Sequence, residues 1–440
     1  MIGRRLAVLV AGSLVAALGL SACGSTSTLS EIQAIHADCG GLQYAGSGKP
    51  TKLIVSDLPL KGASAERSRQ MNVAITQELD DRGWKAGPHM PVAFQSCDDS
   101  LSSTTEWDEG LCRSNAEAYA ADPDVIGVIG TSNSGCAAVQ IPILNRAPGG
   151  GVPMVSPGNT LVCLTQKASS CQPDEPAVYY PSGKRNYVRV IANDTVQGAG
   201  LASFANAAGI RRPFIVIAGD DRTNESQAQT FADAAKSLGM RIAGVAHYDP
   251  KATSYPALMD RIRSSGADAL VLAAILEQNG PEIIKSKVAA LGPNDGAVKL
   301  LAFDGFAQQA TIDNTGPDSR GMYVSVPGKV PSELTGAGAT FVNELKEGIT
   351  ENPLEVFAPY AGQAAEVLLD AIQKGNATRS GTVAQLTKTH VTNGIIGSFS
   401  ISPTGDPEPA SVSVQQAGDT FVLAKTITPP PQLVTAARGG

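Results

Sequence analysis

The sequence predicts an α/β protein with two parallel sheets, each covered by helices on both faces. Three short apolar runs, at 125–130 (VIGVIG), 214–218 (FIVIA) and 269–273 (ALVLA), have the composition of strands that are buried on both sides. Each run is followed by a segment with helical spacing of apolar residues, and repeated strand–helix units form parallel sheets. The alternation pauses near Asn186 and then restarts, which predicts two successive sheets.

The first half of the chain contains four predicted strands and three predicted helices. A strand at 52–56 (KLIVS) precedes a helix over 67–79, for which Ser64 is a suitable N-cap. Asp122-Pro123 ends the next helix, because a residue before proline avoids helical dihedral angles. The other elements predicted here are the strand at 125–130, strands at 92–95 and 152–155, and helices at 109–121 and 136–145.

The second half repeats this alternation and ends in a β-rich segment. Gly239 and Gly292 follow predicted helices and suit the left-handed conformation of a helix C-terminus. Strands are predicted at 188–191, 214–218, 241–246, 269–273, 299–303 and 322–326, helices at 196–208, 225–238, 255–264, 281–291, 336–350 and 360–374, and closing strands at 397–401, 411–416 and 421–424. The tail from residue 428 contains three consecutive prolines and is predicted to be disordered.

The N-terminus has the pattern of a secretory signal. Arg4 and Arg5 precede an apolar run at 6–20 that has no charged residue and is too short for a transmembrane span. The run ends in Leu-Ser-Ala-Cys23, which resembles the lipobox of bacterial lipoproteins. That resemblance implies a lipoprotein signal peptide at 1–22, a diacylglycerol thioether on Cys23, and a lipid anchor to the extracytoplasmic face of the bacterial cell membrane. The alternative is an ordinary secretory signal with an incidental cysteine.

The composition is that of a soluble globular protein with two domains. The chain has 440 residues, of which 42% are hydrophobic and 17% charged, and this length is enough for two cores. The net charge is −7, and it becomes more negative when the signal segment with its two arginines is removed. An acidic chain without a basic cluster argues against a nucleic-acid partner and against charge-driven binding to anionic lipid.

The cysteines beyond Cys23 suggest up to three disulfides, because their number is even and the signal directs the chain out of the cytoplasm. Cys163 and Cys171 flank a short polar loop and are expected to pair. Cys97 and Cys136 each follow a predicted strand at the same sheet edge, so they are expected partners, which leaves Cys39 with Cys112. No metal site is expected, since no CxxC motif occurs and the four histidines are scattered.

Two segments resemble a nucleotide-binding motif and a catalytic motif, but each lacks a residue that its motif requires. The segment GSGK at 46–49 is followed by Pro50, where a phosphate-binding loop needs Ser or Thr. The segment GTSNS at 130–134 has serine where a nucleophile elbow needs its second glycine. His247, at a strand end, is the histidine that a hydrolase alternative would have to use. The sequence therefore predicts a protein that is not an enzyme and that needs no cofactor.

Ten segments occur in a characteristic order between residues 51 and 428. They are KLIVSDLPLKG at 52–62, VAFQSCDDS at 92–100, DVIGVIGTSNSG at 124–135, VPMVSPGNT at 152–160, YVRVIANDTVQG at 187–198, FIVIAGDD at 214–221, SSGADALVLA at 264–273, LLAFDGF at 300–306, RGMYVSVPG at 320–328 and GSFSISPTGDP at 397–407. In this order they resemble the type I periplasmic binding proteins, specifically the branched-chain amino acid and amide group of solute-binding proteins of ABC transporters.

The resemblance implies two Rossmann-like lobes joined by three hinge crossings, near Val190, Pro327 and Gly394. The resemblance implies lobe 1 at 51–190 and 328–393 and lobe 2 at 191–327 and 394–426. Composition predicts a polar tether at 23–50, rich in Ser, Thr and Gly, and a disordered tail at 427–440. The resemblance also implies a cleft that closes on a small polar ligand, amino acid or amide-like, with an ABC permease in the membrane as partner. The alternative function for this fold is a ligand-sensing lipoprotein that reports to a membrane signalling partner.

Two loops of lobe 1 carry candidate ligand-binding residues at the carboxyl ends of strands. Ser132, Asn133 and Ser134 precede a predicted helix, whose N-terminus offers N–H donors to an anion. In the resembled amino acid binders this loop holds the ligand carboxylate, and the alternative is N-capping by Ser134. The second loop contains Ser156, Gly158 and Thr160, and the alternative is a tight loop stabilised by its own side chains.

The candidates of lobe 2 are mostly acidic. Asp304 follows a predicted strand, where an acidic residue takes the ligand ammonium in the resembled amino acid binders; the alternative is a turn-forming Asp before glycine. Asp221, Arg222 and Glu277 are expected to line the cleft, with a solvated charge as the alternative for Arg222. The family often has an aromatic residue near position 223, where this chain has threonine. Tyr360, at a helix start, is expected either to wall the cleft or to lie in the core.

Overall fold

Two sheets organise the part of the chain that this computed structural model describes, residues 32–101, 107–349 and 353–439. The signal segment 1–22 and the lipidation residue Cys23 lie outside the described residues. Within the described ranges, no helix combines the length and the apolar character that a membrane span requires.

The first sheet is parallel and has five strands: β1 (Lys52–Leu58), β2 (Val92–Asp98), β3 (Val125–Gly130), β4 (Met154–Ser156) and β5 (Tyr187–Arg189). Their order across the sheet is β2-β1-β3-β4-β5. The first connections are the helices α1 (Ala65–Asp81), α2 (Glu109–Ala121) and α3 (Ser134–Asn145). Every residue of β3 is buried, as expected for a central strand that helices cover on both faces.

The second sheet has seven strands: β6 (Pro213–Ala218), β7 (Gly244–Tyr248), β8 (Ala269–Ala273), β9 (Lys299–Ala302), β10 (Tyr323–Val326), β14 (Val412–Ala417) and β15 (Phe421–Ile427). The order is β15-β14-β10-β9-β8-β6-β7, with β14 and β15 antiparallel to their neighbours. Its helices are α4 (Asp194–Ala207), α5 (Arg222–Ser237), α6 (Pro256–Ser265), α7 (Gly280–Leu291) and α8 (Gln309–Thr315).

After β10 the chain returns to the first sheet. It forms α9 (Ala337–Gly348), α10 (Ala358–Lys374) and α11 (Arg379–Leu386), and α10 packs against α1, β3 and β4. A small antiparallel sheet of β11 (His390–Gly394), β12 (Gly397–Ile401) and β13 (Pro407–Glu408) then leads to β14. The chain thus passes between the two sheets after β5, after β10 and before β14. The α/β prediction with two parallel-sheet lobes is confirmed.

The predicted disorder of the tail at 427–440 is wrong for its central part. The helix α12 (Pro431–Ala437) packs against α4 and α5, and Leu433 and Ala437 are buried in the core of the second sheet. The third proline of the run lies in the first turn of this helix, where the missing N–H of proline costs nothing. The run that suggested disorder therefore begins a helix.

The segment that was predicted as part of the tether is ordered from residue 32. Ile32 and Ile35 are buried in the core of the first sheet. Gln43 forms an antiparallel bridge with Phe94 on β2, which is the edge strand of that sheet. An edge strand leaves backbone groups unpaired, and this segment satisfies some of them.

Three disulfides join Cys39 to Cys97, Cys112 to Cys136, and Cys163 to Cys171. The predicted Cys163–Cys171 pair is confirmed, and the predicted pairs Cys97–Cys136 and Cys39–Cys112 are wrong. Cys39 bridges β2 directly opposite Cys97, because the N-terminal segment runs along that edge. Cys112 and Cys136 meet because α2 packs against α3.

Each sheet and its helices form one lobe. Lobe 1 consists of β1–β5 with α1–α3 and α9–α11, and lobe 2 consists of β6–β10, β14 and β15 with α4–α8 and α12. The segment 157–186 between β4 and β5 is counted with lobe 1. The strand ends of both lobes face a common space, and this topology positions the candidate site.

Candidate functional site

A cavity lies between the lobes, at the carboxyl ends of their parallel strands. Lobe 1 contributes the loops after β3 and β4, and lobe 2 contributes the loops after β6, β8 and β9. The predicted site residues that line it are Ser132, Asn133, Ser134, Gly158, Thr160, Asp221 and Asp304.

The two loops of lobe 1 are tied together at the start of α3. The Ser134 hydroxyl accepts hydrogen bonds from the backbone N–H groups of Thr160 and Leu161, both at 3.1 Å. At Gly158, an added Cβ would lie 3.0 Å from the Ser132 carbonyl oxygen, so a larger residue would require the two loops to shift slightly apart. Ser134 is the first residue of α3 and lines the cavity, and its hydroxyl holds the second loop in place. The alternative of N-capping by Ser134 is wrong, because the N-cap residue is Asn133.

The N-terminus of α3 presents polar groups to the cavity. Asn133 is the N-cap residue, but its side chain makes no capping hydrogen bond, and its Oδ1 is buried without a partner among the described residues. The first N–H groups of a helix have no partner within the helix and carry a positive partial charge. This end of the cavity is suited to a negatively charged group.

Ser156 does not line the cavity. Its hydroxyl donates to the Thr131 carbonyl oxygen (3.0 Å) and accepts from the N–H groups of Gly158 (3.2 Å) and Asn159 (2.9 Å). The side chain is fully buried. Ser156 fits the alternative of a loop that is stabilised by its own side chains.

Asp304 is the buried acidic group of lobe 2 in the cavity wall. Its Oδ1 accepts hydrogen bonds from Gln197 Nε2 (2.9 Å) and Gln227 Nε2 (3.1 Å), which come from α4 and α5. Only 9% of the residue is exposed. These contacts fix the orientation of the carboxylate, as a site for a cationic group requires.

Asp221 lines the cavity but has a structural task there. It is the N-cap of α5, and its Oδ1 accepts from the N–H groups of Thr223 (2.8 Å) and Asn224 (3.1 Å). A carboxylate in this position also neutralises the positive end of the helix. The sequence located Asp221 at the cavity but did not distinguish this capping role.

Arg222, Glu277 and Tyr360 do not line the cavity, because each has a partner elsewhere. Arg222 forms an ion pair with Glu175 in lobe 1 at 2.7 Å. Glu277 accepts a hydrogen bond from the Ser64 hydroxyl at 2.8 Å, which links lobe 2 to the start of α1. The Tyr360 hydroxyl accepts from the N–H of Lys329 and donates to its carbonyl oxygen, at the second crossing between the sheets.

Several residues of the cavity wall were missed from the sequence: Arg67, Trp107, Gly135, Thr223, Asn224, Gln227, Ile275, Gly305 and Phe357. Arg67 is almost fully buried, donates to the Ser64 hydroxyl at 2.9 Å, and lies 5.5 Å from the centre of the Phe357 ring. A positive charge in the first turn of a helix is unfavourable, because the helix N-terminus already carries a positive partial charge. This unusual position of Arg67 was the sequence feature that could have marked it as a site residue. Trp107 lies against Gly135 at the start of α3, so the aromatic wall comes from lobe 1 and not from position 223.

His247 lies away from the cavity, at the end of β7. Its Nδ1 is 2.8 Å from the Gly219 carbonyl oxygen and its Nε2 is 3.3 Å from a Glu225 carboxylate oxygen. No histidine is among the described residues that line the cavity. The described wall therefore combines a helix N-terminus with a buried carboxylate, and it contains no Ser–His–acid set.

A profile of the periplasmic binding protein family matches residues 104–419, which is more than half of the chain. The chain belongs to the type I periplasmic binding protein family. A comparison with curated protein sequences finds no match.

Solved structures of periplasmic binding proteins and ABC-transporter solute-binding proteins share this fold at low sequence identity. The leucine binding protein of Thermotoga maritima has a TM-score of 0.71 and 21% identity, over 86% of this chain and 99% of that one. A solute-binding protein of R. palustris in complex with 4-hydroxybenzoate has a TM-score of 0.71 and 18% identity, over 87% and 98%. A branched-chain amino acid binding protein of Streptococcus pneumoniae in complex with isoleucine has a TM-score of 0.68 and 15% identity, over 86% and 98%.

In this periplasmic binding protein, Glu355 is a buried contact between the lobes next to the cavity wall. Its Oε1 accepts the backbone N–H of Gln309, at the start of α8 in lobe 2, at 3.0 Å. Burial raises the pKa of Glu355 from 4.5 to about 7, and the Gln309 N–H and the charge of Arg67 oppose that rise. Between pH 4.5 and about pH 7, the folded protein therefore keeps a proton on the Glu355 carboxyl that the unfolded chain has lost.

We expect the free energy of unfolding to fall as the pH rises from about 4.5 to about 7, because the folded state binds more protons than the unfolded state in this window. Glu355→Gln, which keeps an acceptor for Gln309, should make that fall shallower by about 1.4 kcal/mol per pH unit. Urea denaturation at several pH values across the window measures both slopes. Asp57 and Asp194, whose pKa values burial also raises, contribute to both proteins alike. Equal slopes would show that Glu355 ionises normally in the folded state.

Proposed function

We propose that this protein is an extracytoplasmic, lipid-anchored solute-binding protein that captures a small polar ligand, amino acid or amide-like, for an ABC importer. The observation that carries the proposal is the chemical polarity of the cavity. Lobe 1 offers the N-terminus of α3 and Arg67, and lobe 2 offers the carboxylate of Asp304. A ligand with an anionic end and a cationic or amide end complements both walls.

Membership of the family supports binding as the activity. The leucine and isoleucine binding proteins with the same fold support an amino acid as the ligand class. The lobes enclose the ligand, so that water is excluded and the charged contacts become stronger. Catalysis is not proposed, since the described wall of the cavity combines no nucleophile with a histidine base.

A second ligand class, aromatic carboxylates, is favoured by a specific observation. Trp107 and Phe357 line the cavity next to Arg67, and an aromatic acid would place its ring against them and its carboxylate near the guanidinium. The R. palustris proteins with this fold are in complex with 4-hydroxybenzoate and benzoate. This class shares the anionic end with amino acids and lacks the ammonium group.

The proposal is tested by thermal unfolding of a soluble form that starts at Gly24, with a panel of amino acids, amides, aromatic acids, polyamines, purines and sugars. A ligand at 100 times its dissociation constant should stabilise the protein by about 2.7 kcal/mol. Stabilisation by an amino acid or amide supports the leading proposal, and stabilisation by benzoates alone supports the second class. No stabilisation by any compound would contradict ligand capture from these classes.

The lipid anchor has a separate test in the full chain. Membrane fractionation of cells that express the protein should place it in the membrane fraction, and Cys23→Ser should release it or block its processing. A Cys23→Ser protein that fractionates and matures like the wild type would favour the ordinary secretory signal.

A further inference from the structure

The segment 157–186 of lobe 1 contacts lobe 2 at two places. The first contact is made by Glu175, whose side chain is only 3% exposed. The Glu175 carboxylate accepts hydrogen bonds from the Tyr179 hydroxyl and from the backbone N–H of Gln172 (2.7 Å). Arg222, the first residue of α5 in lobe 2, places its Nη2 2.7 Å from the same carboxylate. The Glu175 carboxylate is thus oriented by groups of its own lobe, independently of its contact with Arg222.

The disulfide-closed loop of the same segment makes a second contact with lobe 2. The backbone N–H of Ser169 donates to the carbonyl oxygen of Arg438, which follows α12, at 2.9 Å. The Ser169 hydroxyl donates to Asp233 on α5 at 3.3 Å. Because the Cys163–Cys171 disulfide closes this loop and α12 packs on α5, both sides of the contact are fixed within their own lobes.

Neither contact involves a residue of the described cavity wall. A hinge motion that separates the lobes must break both contacts, since Glu175 and Ser169 move with lobe 1 while Arg222, Asp233 and Arg438 move with lobe 2. Interactions that exist only in the closed state shift the population toward closure by their own free energy. These contacts can therefore act on binding without touching a ligand.

We propose that the Glu175–Arg222 ion pair and the Ser169–Arg438 hydrogen bond form a side clamp that holds the lobes closed. Glu175 and Arg222 are then positioning residues that set the affinity of the cavity through the rate of opening. The effect on closure is a property of the protein alone, and only the effect on affinity rests on the proposed function. The side chain of Arg222 is 41% exposed, so water and salt screen the pair in part.

The test uses Arg222→Ala in the protein without ligand, with quenching of tryptophan fluorescence by acrylamide as the readout. Trp107 lines the cavity between the lobes, whereas the other tryptophan, Trp84, is 3% exposed in the core of lobe 1. Opening exposes Trp107, so the quenching constant should rise in Arg222→Ala and should stay near the wild-type value in Arg222→Lys. The radius of gyration from small-angle X-ray scattering should rise with it.

Two further variants separate the clamp from a general loss of stability. Arg113→Ala breaks an exposed ion pair with Glu109 that lies within α2 of lobe 1, so it should leave quenching unchanged. Glu175→Gln should raise quenching like Arg222→Ala, and the double variant should add little, because both changes break the same contact. Wild-type quenching in Arg222→Ala and Glu175→Gln would overturn the proposal.

With a compound that stabilises the wild-type protein, Arg222→Ala should raise the dissociation rate constant about 3- to 10-fold and leave the association rate constant nearly unchanged. High salt should reduce the difference between the two proteins. If no compound of the panel binds, the quenching and scattering data still decide whether the clamp holds the lobes closed. The failure of the proposed function and the failure of the clamp are thus separate results.

Discussion

Asp406→Ala should lower the free energy of unfolding by about 3–5 kcal/mol, because it leaves a fully buried arginine without its counter-ion. Arg189, at the end of β5, is fully buried, and its Nε lies 3.0 Å from Asp406 Oδ1. The same carboxylate accepts from Asn193 Nδ2 (3.0 Å) and Gln166 Nε2 (2.8 Å). It therefore connects the first crossing between the sheets with the segment that returns from β12.

Asp419→Ala is the matched control for this change. Asp419 also pairs with an arginine, Arg320, but both side chains are largely exposed, so its loss should cost no more than about 1 kcal/mol. Urea denaturation of the wild type and the two variants measures the difference. Similar losses in both variants would mean that the Arg189–Asp406 pair is compensated by water or by relaxation of the crossing.

Asp304→Ala should weaken the binding of an amino acid or amine ligand about 10- to 100-fold, because it removes a charge-assisted hydrogen bond worth about 1.5–3 kcal/mol. Asp304→Asn should have nearly the same effect on binding. Its amide oxygen can still accept from Gln197 and Gln227, so the wall of the cavity is kept while the charge is lost. Isothermal titration calorimetry with a compound that stabilises the wild type measures the affinities.

Two comparisons make this result specific. Asp221→Asn removes a charge from the same wall but keeps an N-cap for α5, so it should weaken binding less than Asp304→Asn. An aromatic carboxylate carries no ammonium, so its affinity should change little in Asp304→Asn. Unchanged affinity for an amino acid in Asp304→Asn would show that Asp304 only holds Gln197 and Gln227 in place.

The elements that were predicted well are those with strong local signals. The runs VIGVIG, FIVIA and ALVLA became β3, β6 and β8, because a central parallel strand needs apolar residues on both faces. The helix α8 and the helix α11 had no predicted counterpart, since both are short and have few periodic apolar residues. The triple proline predicts a disordered tail, but the apolar contacts of Leu433 with lobe 2 stabilise α12.

In the candidate site, the sequence predicts which loops meet but not which residues their long side chains contact. Parallel strands end at one edge, so polar loops after β3, β4, β6 and β9 were expected to meet, and Ser132, Gly158, Asp221 and Asp304 do line one cavity. The order of strands and loops does not predict which residues the long side chains of these loops contact. Arg222 and Glu277 lie near the predicted loops, but each reaches a residue of the other lobe that is distant in sequence.

The sequence by itself determined the α/β class, the two parallel sheets and the loops that form the cavity, because hydrophobic periodicity and strand–loop–helix order are local properties. Only the tertiary structure decided which cysteines pair, which polar side chains face the cavity and which hold the lobes together. Those outcomes depend on the distance between groups that are far apart in sequence, such as Cys39 and Cys97 or Glu175 and Arg222. Packing of whole elements sets these distances, and no local pattern encodes them.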